Sequence, residues 1–391
     1  MWQDNHPAAL DRTQDKWKYE EVQMSVSRRD FVQMAGAGLL SGPVALKSGM
    51  EVSAPTTAGP APSKVALMKG ESRRENVRRA LESIDDRILP ALTRKKTVLI
   101  KPNGVNPGFQ LASTHVDALR GVLDYLEPRF KGQVVIAEAA SRDTLEVYEA
   151  LGFNRLPAEY KSQQLTLVDL NREGKSVTTL LLDKDLHMTP VRLAARLADP
   201  ETFVISCAVL KTHNTVVATL SVKNVVLGSP LRSVRGEQPV WNEKRKFHVG
   251  IRQTHVNMLL TAARLSPSWG AAVIDGFEGM EGDGPNDGTA VPSRIAIAST
   301  DWIAADRVGV ETMGIDANWL GYLRYCADAG IGQYDLNRIQ VVGESIASVA
   351  KKYKLHPDIE RELLWMGPMK ELPPMLGSLR VDALLRGEVS C

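Results

Sequence analysis

The chain has 391 residues, 43% of them hydrophobic and 24% charged, with a formal net charge of +2. That is ordinary globular composition, long enough for a large core. Near-balanced charge and 6% aromatics give no footprint for nucleic acid, so no such partner is expected. Cys207, Cys326 and Cys391 are far apart and form no CxxC pair, so no zinc knuckle or iron–sulfur cluster ligated by this chain is expected.

Residues 1–23 are polar and precede Met24, and they read as a non-native or disordered extension. From Met24 to Leu46 the order is an arginine pair, Arg28–Arg29, then Asp30–Phe31, then a mildly apolar stretch rich in Gly and Ala. This is the order of a twin-arginine export signal. Gln33 and Pro43 interrupt the apolar stretch, which is too short and too polar for a comfortable membrane span. The expected location is periplasmic or extracytoplasmic, the expected partner is the twin-arginine translocation machinery, and an uncleaved signal would give weak membrane association. Residues 53–63, "SAPTTAGPAPS", read as a linker completing a signal-and-linker segment over 24–63.

An α/β body is expected over 64–345 and a helical, Pro-broken tail over 346–391. The apolar run "KTVLIKP" (96–102) predicts a strand, and 115–130 has helical period through Val116, Leu119, Val122, Leu123 and Leu126. Residues 132–140 read as a strand, 144–153 as a helix closing at Gly152, 165–170 as a strand and 175–185 as an edge or hairpin strand. "ETFVISCAVLK" (201–211) is a buried strand, with Cys207 as a buried structural thiol. Residues 215–228 are expected to be a helix ending near Gly228. Further strands are read at 269–280 and 293–300, then a helix capped by Asp301, another helix, and a last strand in "RIQVVGE". The alternation predicts a largely parallel, doubly wound sheet with helices on both faces.

Ligands of such sheets bind beyond the carboxyl ends of the strands. The residues expected there are unusually charged: Lys101 and Asn103, Glu138, Asp169, Lys211 and His213, Asp275 and Glu278, Ser299 and Asp301. Charges gathered at one rim are costly unless they pair or hold something. "KPNGVNPG" (101–108) is no P-loop, and no GxGxxG opens a helix, so neither nucleotide motif is present. His213, Lys223 and Lys211 are read as catalytic, with Lys223 on the third turn of its helix. Lys101, Asn103 and Asn224 are read as substrate-binding. "DGFEGMEGDGPNDG" (275–288) fails the EF-hand spacing, but its Asp275, Glu278 and Glu281 are read as ligands for a divalent metal. His248 and His255 are seven apart, a spacing compatible with one helix face, but only Arg252 and Gln253 give polar company between them and no site is assigned there; His115 falls at a helix start.

"KPN" after a strand, "LKTH" with a later "KN", "DGFEGMEGDGP", "STDWIAADRVGVETMG" and a closing "VVGE" occur in that order. Over roughly 95–345 this resembles the uncharacterised DUF362 family. Some members of that family carry fused ferredoxin-like modules, whose cysteines this chain lacks. A second resemblance is to the nickel-pincer lactate racemases, which carry a histidine about ten residues before a cofactor-binding lysine, as His213 and Lys223 stand here. Pro239 stands near the offset of that family's further metal-ligand histidine, and the Gly-rich stretch is missing. The resulting expectation is an exported enzyme acting on an anionic small molecule, with a metal or organic cofactor at the strand ends. The alternative is a periplasmic solute- or metal-binding protein without catalysis.

Overall fold

The computed structural model describes residues 62–367. The twin-arginine-like segment, nearly all of the linker and the end of the tail lie outside the described residues. The strands are β1 (Ser63–Lys69), β2 (Thr97–Pro102), β3 (Gln133–Glu138), β4 (Leu165–Asp169), β5 (Ser176–Leu182), β6 (Met188–Ala194), β7 (Thr202–His213), β8 (Val217–Thr219), β9 (Trp269–Glu281), β10 (Thr289–Val291), β11 (Ile295–Ser299) and β12 (Ile339–Gly343). The helices used below are α1 (Arg73–Glu82), α2 (Asp85–Leu92), α3 (Val116–Leu126), α4 (Thr144–Ala150), α5 (Ser221–Val226), α6 (Ile251–Leu265), α7 (Trp302–Thr312), α8 (Gly321–Asp328) and α9 (Ile359–Glu362). No helix among the described residues is long and apolar enough to cross a membrane.

One sheet runs in the order β12-β1-β11-β9-β7-β2-β3-β4, with β8 added to β7 and β10 to β9, while β5 and β6 form a separate hairpin. Pairing is parallel for β12–β1, β9–β7, β7–β2, β2–β3 and β3–β4. β11 is antiparallel to both of its neighbours and is the reversed strand in that row. Alternate residues serve opposite faces. Val98 and Ile100 of β2 enter one apolar cluster and Leu99 enters the other, and β3 repeats this with Val134 and Ile136 against Val135. Helices α1 to α4 cover the first face and α5 to α8 the second. A strand buried on both sides is mostly apolar, as β7 is through Phe203–Ile205 and Cys207–Leu210, with all twelve of its residues buried.

The expected doubly wound α/β sheet is therefore present, in mixed form. The chain leaves β2 toward β3 on one side and leaves β7 toward β9 on the other. Adjacent strands β2 and β7 thus part at a topological switch point, where open α/β sheets form a crevice.

Local differences have identifiable causes. β7 does not end at Lys211 but runs to His213, paired with β8 through Lys211↔Thr219 and His213↔Val217. The β-branched run Val216, Val217, Thr219 favours extension over helix, so the expected helix at 215–228 shrinks to Ser221–Val226. Its N-terminus has no side-chain cap of its own. The buried Asp306 of α7 substitutes, accepting from Ser221 N at 2.8 Å and Val222 N at 3.0 Å. Val217 has φ 69°, a left-handed conformation that a β-branched residue rarely adopts. Its N–H donates at 2.8 Å to the buried Glu362 carboxylate.

The segment after β12 is mostly irregular, with short helices at Ile346–Val349 and α9. It is tied back to the body by Tyr353–Ser293 at 2.9 Å and by Lys354 N donating to Glu281 at 2.8 Å.

Candidate anion site at the strand carboxyl ends

Lys101, the last residue but one of β2, is 1% exposed. Burial pulls its pKa down, and Glu138 at the end of β3 opposes that with an ion pair of 2.6 Å. The Lys101 ammonium also donates to the Pro102 carbonyl at 2.9 Å. Glu138 is fully used, since it accepts from Gly104 N at 2.9 Å and Ala139 N at 2.8 Å as well. Gly228 makes this packing feasible. A Cβ there would lie 2.3 Å from the Asn224 carbonyl oxygen and 2.5 Å from Lys101 Nζ.

Asn224 bridges β2 and β7. Its Nδ2 donates to Lys101 O at 3.0 Å and to Ser206 Oγ at 3.1 Å, while its Oδ1 accepts from Asn103 at 3.1 Å. Its polar groups are thus spent on the two strands. Asn103 is different, because its Oδ1 is buried and has no hydrogen-bond partner among the described residues.

Lys211 is completely buried and donates to the Ala112 carbonyl at 2.6 Å and the Pro285 carbonyl at 3.3 Å. Burial, then Lys223, pushes its pKa well below the ordinary value. His213 is pushed well below its ordinary range by burial, then by Lys223 and Lys211. Its Nδ1 accepts from Thr215 N at 3.0 Å, so the neutral ring carries its proton on Nε2. Lys223 sits in the first turn of α5 rather than a third turn, and burial, then Lys101, lowers it to about 7.

All of these meet around one cavity of about 480 Å³, lined by Lys101, Asn103, Lys211, His213, Lys223 and Asn224 together with Lys244, His248, Thr219 and Arg361. Glu138 is its lone carboxylate among the described residues, and that carboxylate is already committed. Lys244 and Arg361 had no distinguishing signal in the sequence. Lys244 lies in a run of charges, and Arg361 arrives from α9 with its Nη2 on the Asn214 carbonyl at 2.9 Å. Lys244 is half-buried, donates to Leu227 O at 3.2 Å and is lowered to about 7, chiefly by burial. Pro239 is not part of the lining.

The acidic loop goes elsewhere, which corrects the metal expectation. β9 leaves β7 after Val209↔Asp275 and rejoins it only at Lys211↔Met280, while Gly276 pairs with Ile295 of β11 and Gly279 with Val291 of β10. Asp275 and Glu278 turn to Arg73 of α1, at 3.1 Å each, beside a separate cavity of about 310 Å³ that also contains His115. Glu281 holds Lys354 N. The three carboxylates therefore do not form a metal cluster. Among the described residues the one His/Cys/Asp/Glu group with ligand atoms within 4.8 Å is Asp183, Asp185 and His187, at the turn between β5 and β6.

Other placements also differ. Ser299 and Asp301 end the reversed strand β11 and so lie at the opposite rim. His248 precedes α6 and lines the cavity, whereas His255 is buried in α6 against Tyr322 and Trp365, so the two share no face. Asp301 caps α7 and His115 caps α3, as the sequence indicates. Cys207 is fully buried, and burial pushes its thiol well up.

Fold and site together define an α/β protein with a cation-lined crevice at the switch point of its sheet. The family model for a domain of unknown function, DUF362, matches residues 98–311. The chain belongs to the DUF362 family. No curated protein matches the chain. Among solved structures it is similar to a structural-genomics crystal structure of a Thermotoga maritima protein, at 11% identity and a TM-score of 0.37. That match covers 67% of this chain and 59% of the Thermotoga chain, so the likeness spans under two thirds of that protein.

Proposed function

We propose that this protein is an exported enzyme that binds a small organic or phosphate-bearing anion in the switch-point cavity and acts on it by proton transfer. The observation that carries this reading is the lining itself. Four lysines, Arg361 and two histidines surround one cavity whose single carboxylate among the described residues is consumed by Lys101. Such a cluster disfavours its own protonation, and an anion relieves that penalty. Asn103 Oδ1 and Thr219 Oγ1 are buried there without hydrogen-bond partners among the described residues, so they are ready to orient a ligand's polar groups.

Lys101, Lys211 and Lys244 supply positive potential in a poorly solvated site. His213, neutral and protonated on Nε2, donates to an oxygen that gains charge. Lys223 supplies a basic amine near neutral pH. The displaced carboxylates of 275–281 give no support to a metal here, while an anionic organic cofactor fits the same donors.

Isothermal titration with inorganic phosphate and with succinate tests the reading. Binding is expected, weakened at least tenfold by Lys223→Met and by Lys244→Met. Absence of heat and of any melting shift with both anions overturns it. His213→Asn separates enzyme from binding protein, because affinity is retained while anion turnover is lost only if the site is catalytic. Export rests on Arg28–Arg29, and replacing both by Lys is expected to leave the protein in the cytoplasm on fractionation. Unchanged location overturns export by that route.

A further inference from the structure

We propose that the anion taken by this cavity carries a carbonyl group, and that Lys223 captures it covalently as an iminium. This rests on the anion site proposed above and names its substrate class: 2-oxo acids and related carbonyl-bearing anions.

The lysines of the cavity are not equivalent. Lys101 is held by Glu138 and the Pro102 carbonyl, Lys211 by two carbonyls, and Lys244 by the Leu227 carbonyl. Lys223 lines the same cavity, is 8% exposed, and has no hydrogen-bond or ion-pair partner among the described residues. No carboxylate is left to keep a proton on it. Its amine is lowered to about 7, so a large fraction is the free base at neutral pH. A desolvated amine beside other cations is the environment in which a lysine becomes a nucleophile toward carbonyls. Its helix is held from below by Asp306, so the amine has a fixed origin.

The step balances without an external redox partner. The Nζ lone pair adds to the carbonyl carbon, and the C=O π pair moves to oxygen, which takes up a proton while nitrogen releases one. The carbinolamine oxygen accepts a second proton and leaves as water, and the nitrogen lone pair forms the C=N⁺ bond. The sum is amine, carbonyl and one proton giving iminium and water. Thr219 Oγ1 and the His213 Nε2–H, both at the cavity, are the donors available to the departing oxygen. The substrate's carboxylate provides the counter-charge that the protein withholds from the iminium.

The test is reductive trapping of the folded protein with pyruvate and cyanoborohydride at pH 7.5, followed by peptide mass mapping. The expected result is an adduct on Lys223 ahead of every surface lysine. It should be suppressed by excess phosphate and missing in Lys223→Met, which leaves trapping of surface lysines unchanged. An adduct confined to Lys244, or spread over surface lysines with Lys223 unmodified, overturns the assignment. If pyruvate or phosphate still binds by titration and Lys223 stays unmodified, the carbonyl proposal fails while the anion site stands. If neither binds, both fail.

Discussion

At the scale of single residues, the cavity depends on what is absent as much as on what is present. Gly228→Ala puts a methyl 2.5 Å from Lys101 Nζ and 2.3 Å from backbone. Overpacking of this kind costs about 1–3 kcal/mol. We expect a lower melting temperature together with a loss of phosphate affinity, read by thermal melts and titration. Glu138→Gln removes the counter-charge of a buried lysine. Breaking a buried pair costs about 3–5 kcal/mol, a loss that denaturant unfolding would register. Lys101, Lys211 and His213 were legible in the sequence because each follows a strongly apolar strand. Lys244 and Arg361 were not, because they reach the cavity from segments whose charges look like any solvated surface. The acidic residues misled for a related reason. Their partner, Arg73, is 202 positions before Asp275, and nothing local announces the pairing.

At the scale of elements, the strands β2, β3, β7 and β9 were readable from their apolar runs, and the helices α3 and α7 from period and caps. β8 was not, since "VVATLS" is apolar enough for either state and only the hairpin with β7 decides it. The reversed direction of β11 was also hidden, because a buried strand looks alike read either way. The short helix α5 and the strained Val217 are both stabilised from a distance, by Asp306 and Glu362. Glu362 is buried and pushed up to about 7, mainly by burial. Glu362→Ala leaves Val217 N buried and unpaired, at about 1–3 kcal/mol. Because His213 is paired across from Val217, the same change is expected to shift the His213 ring resonances and weaken anion binding. Hydrogen exchange at 213–217 should quicken, whereas a Glu362 that merely packs would leave that exchange unaltered.

At the scale of the whole molecule, the lysine cluster couples stability to pH. Lys223 titrates near 7 in the fold against 10.5 unfolded. Between those values the unfolded chain binds more protons, so this group makes stability rise with pH. Lys244, Lys211 and Lys101 shift in the same direction. We expect unfolding free energy to climb from pH 7 to about 8.5. The slope is up to about 1.4 kcal/mol per pH unit for each such lysine. Lys223→Met should flatten that slope by one lysine's share in denaturant melts. An anion in the cavity raises the lysine pKa values, so binding at pH 8 should take up protons, seen as a heat that depends on the buffer.

The order of the sheet also bears on how the chain is made. β1 lies between β11 and β12, so the first of the described strands to be synthesised pairs with Ile295–Ser299 and Ile339–Gly343. One edge waits until about 230 further residues have been synthesised and the other until about 270. Closing so long a loop delays folding, and the sheet is complete only once β12 has been made. Anything that acts only on the folded protein must therefore wait until Ile339–Gly343 has been made.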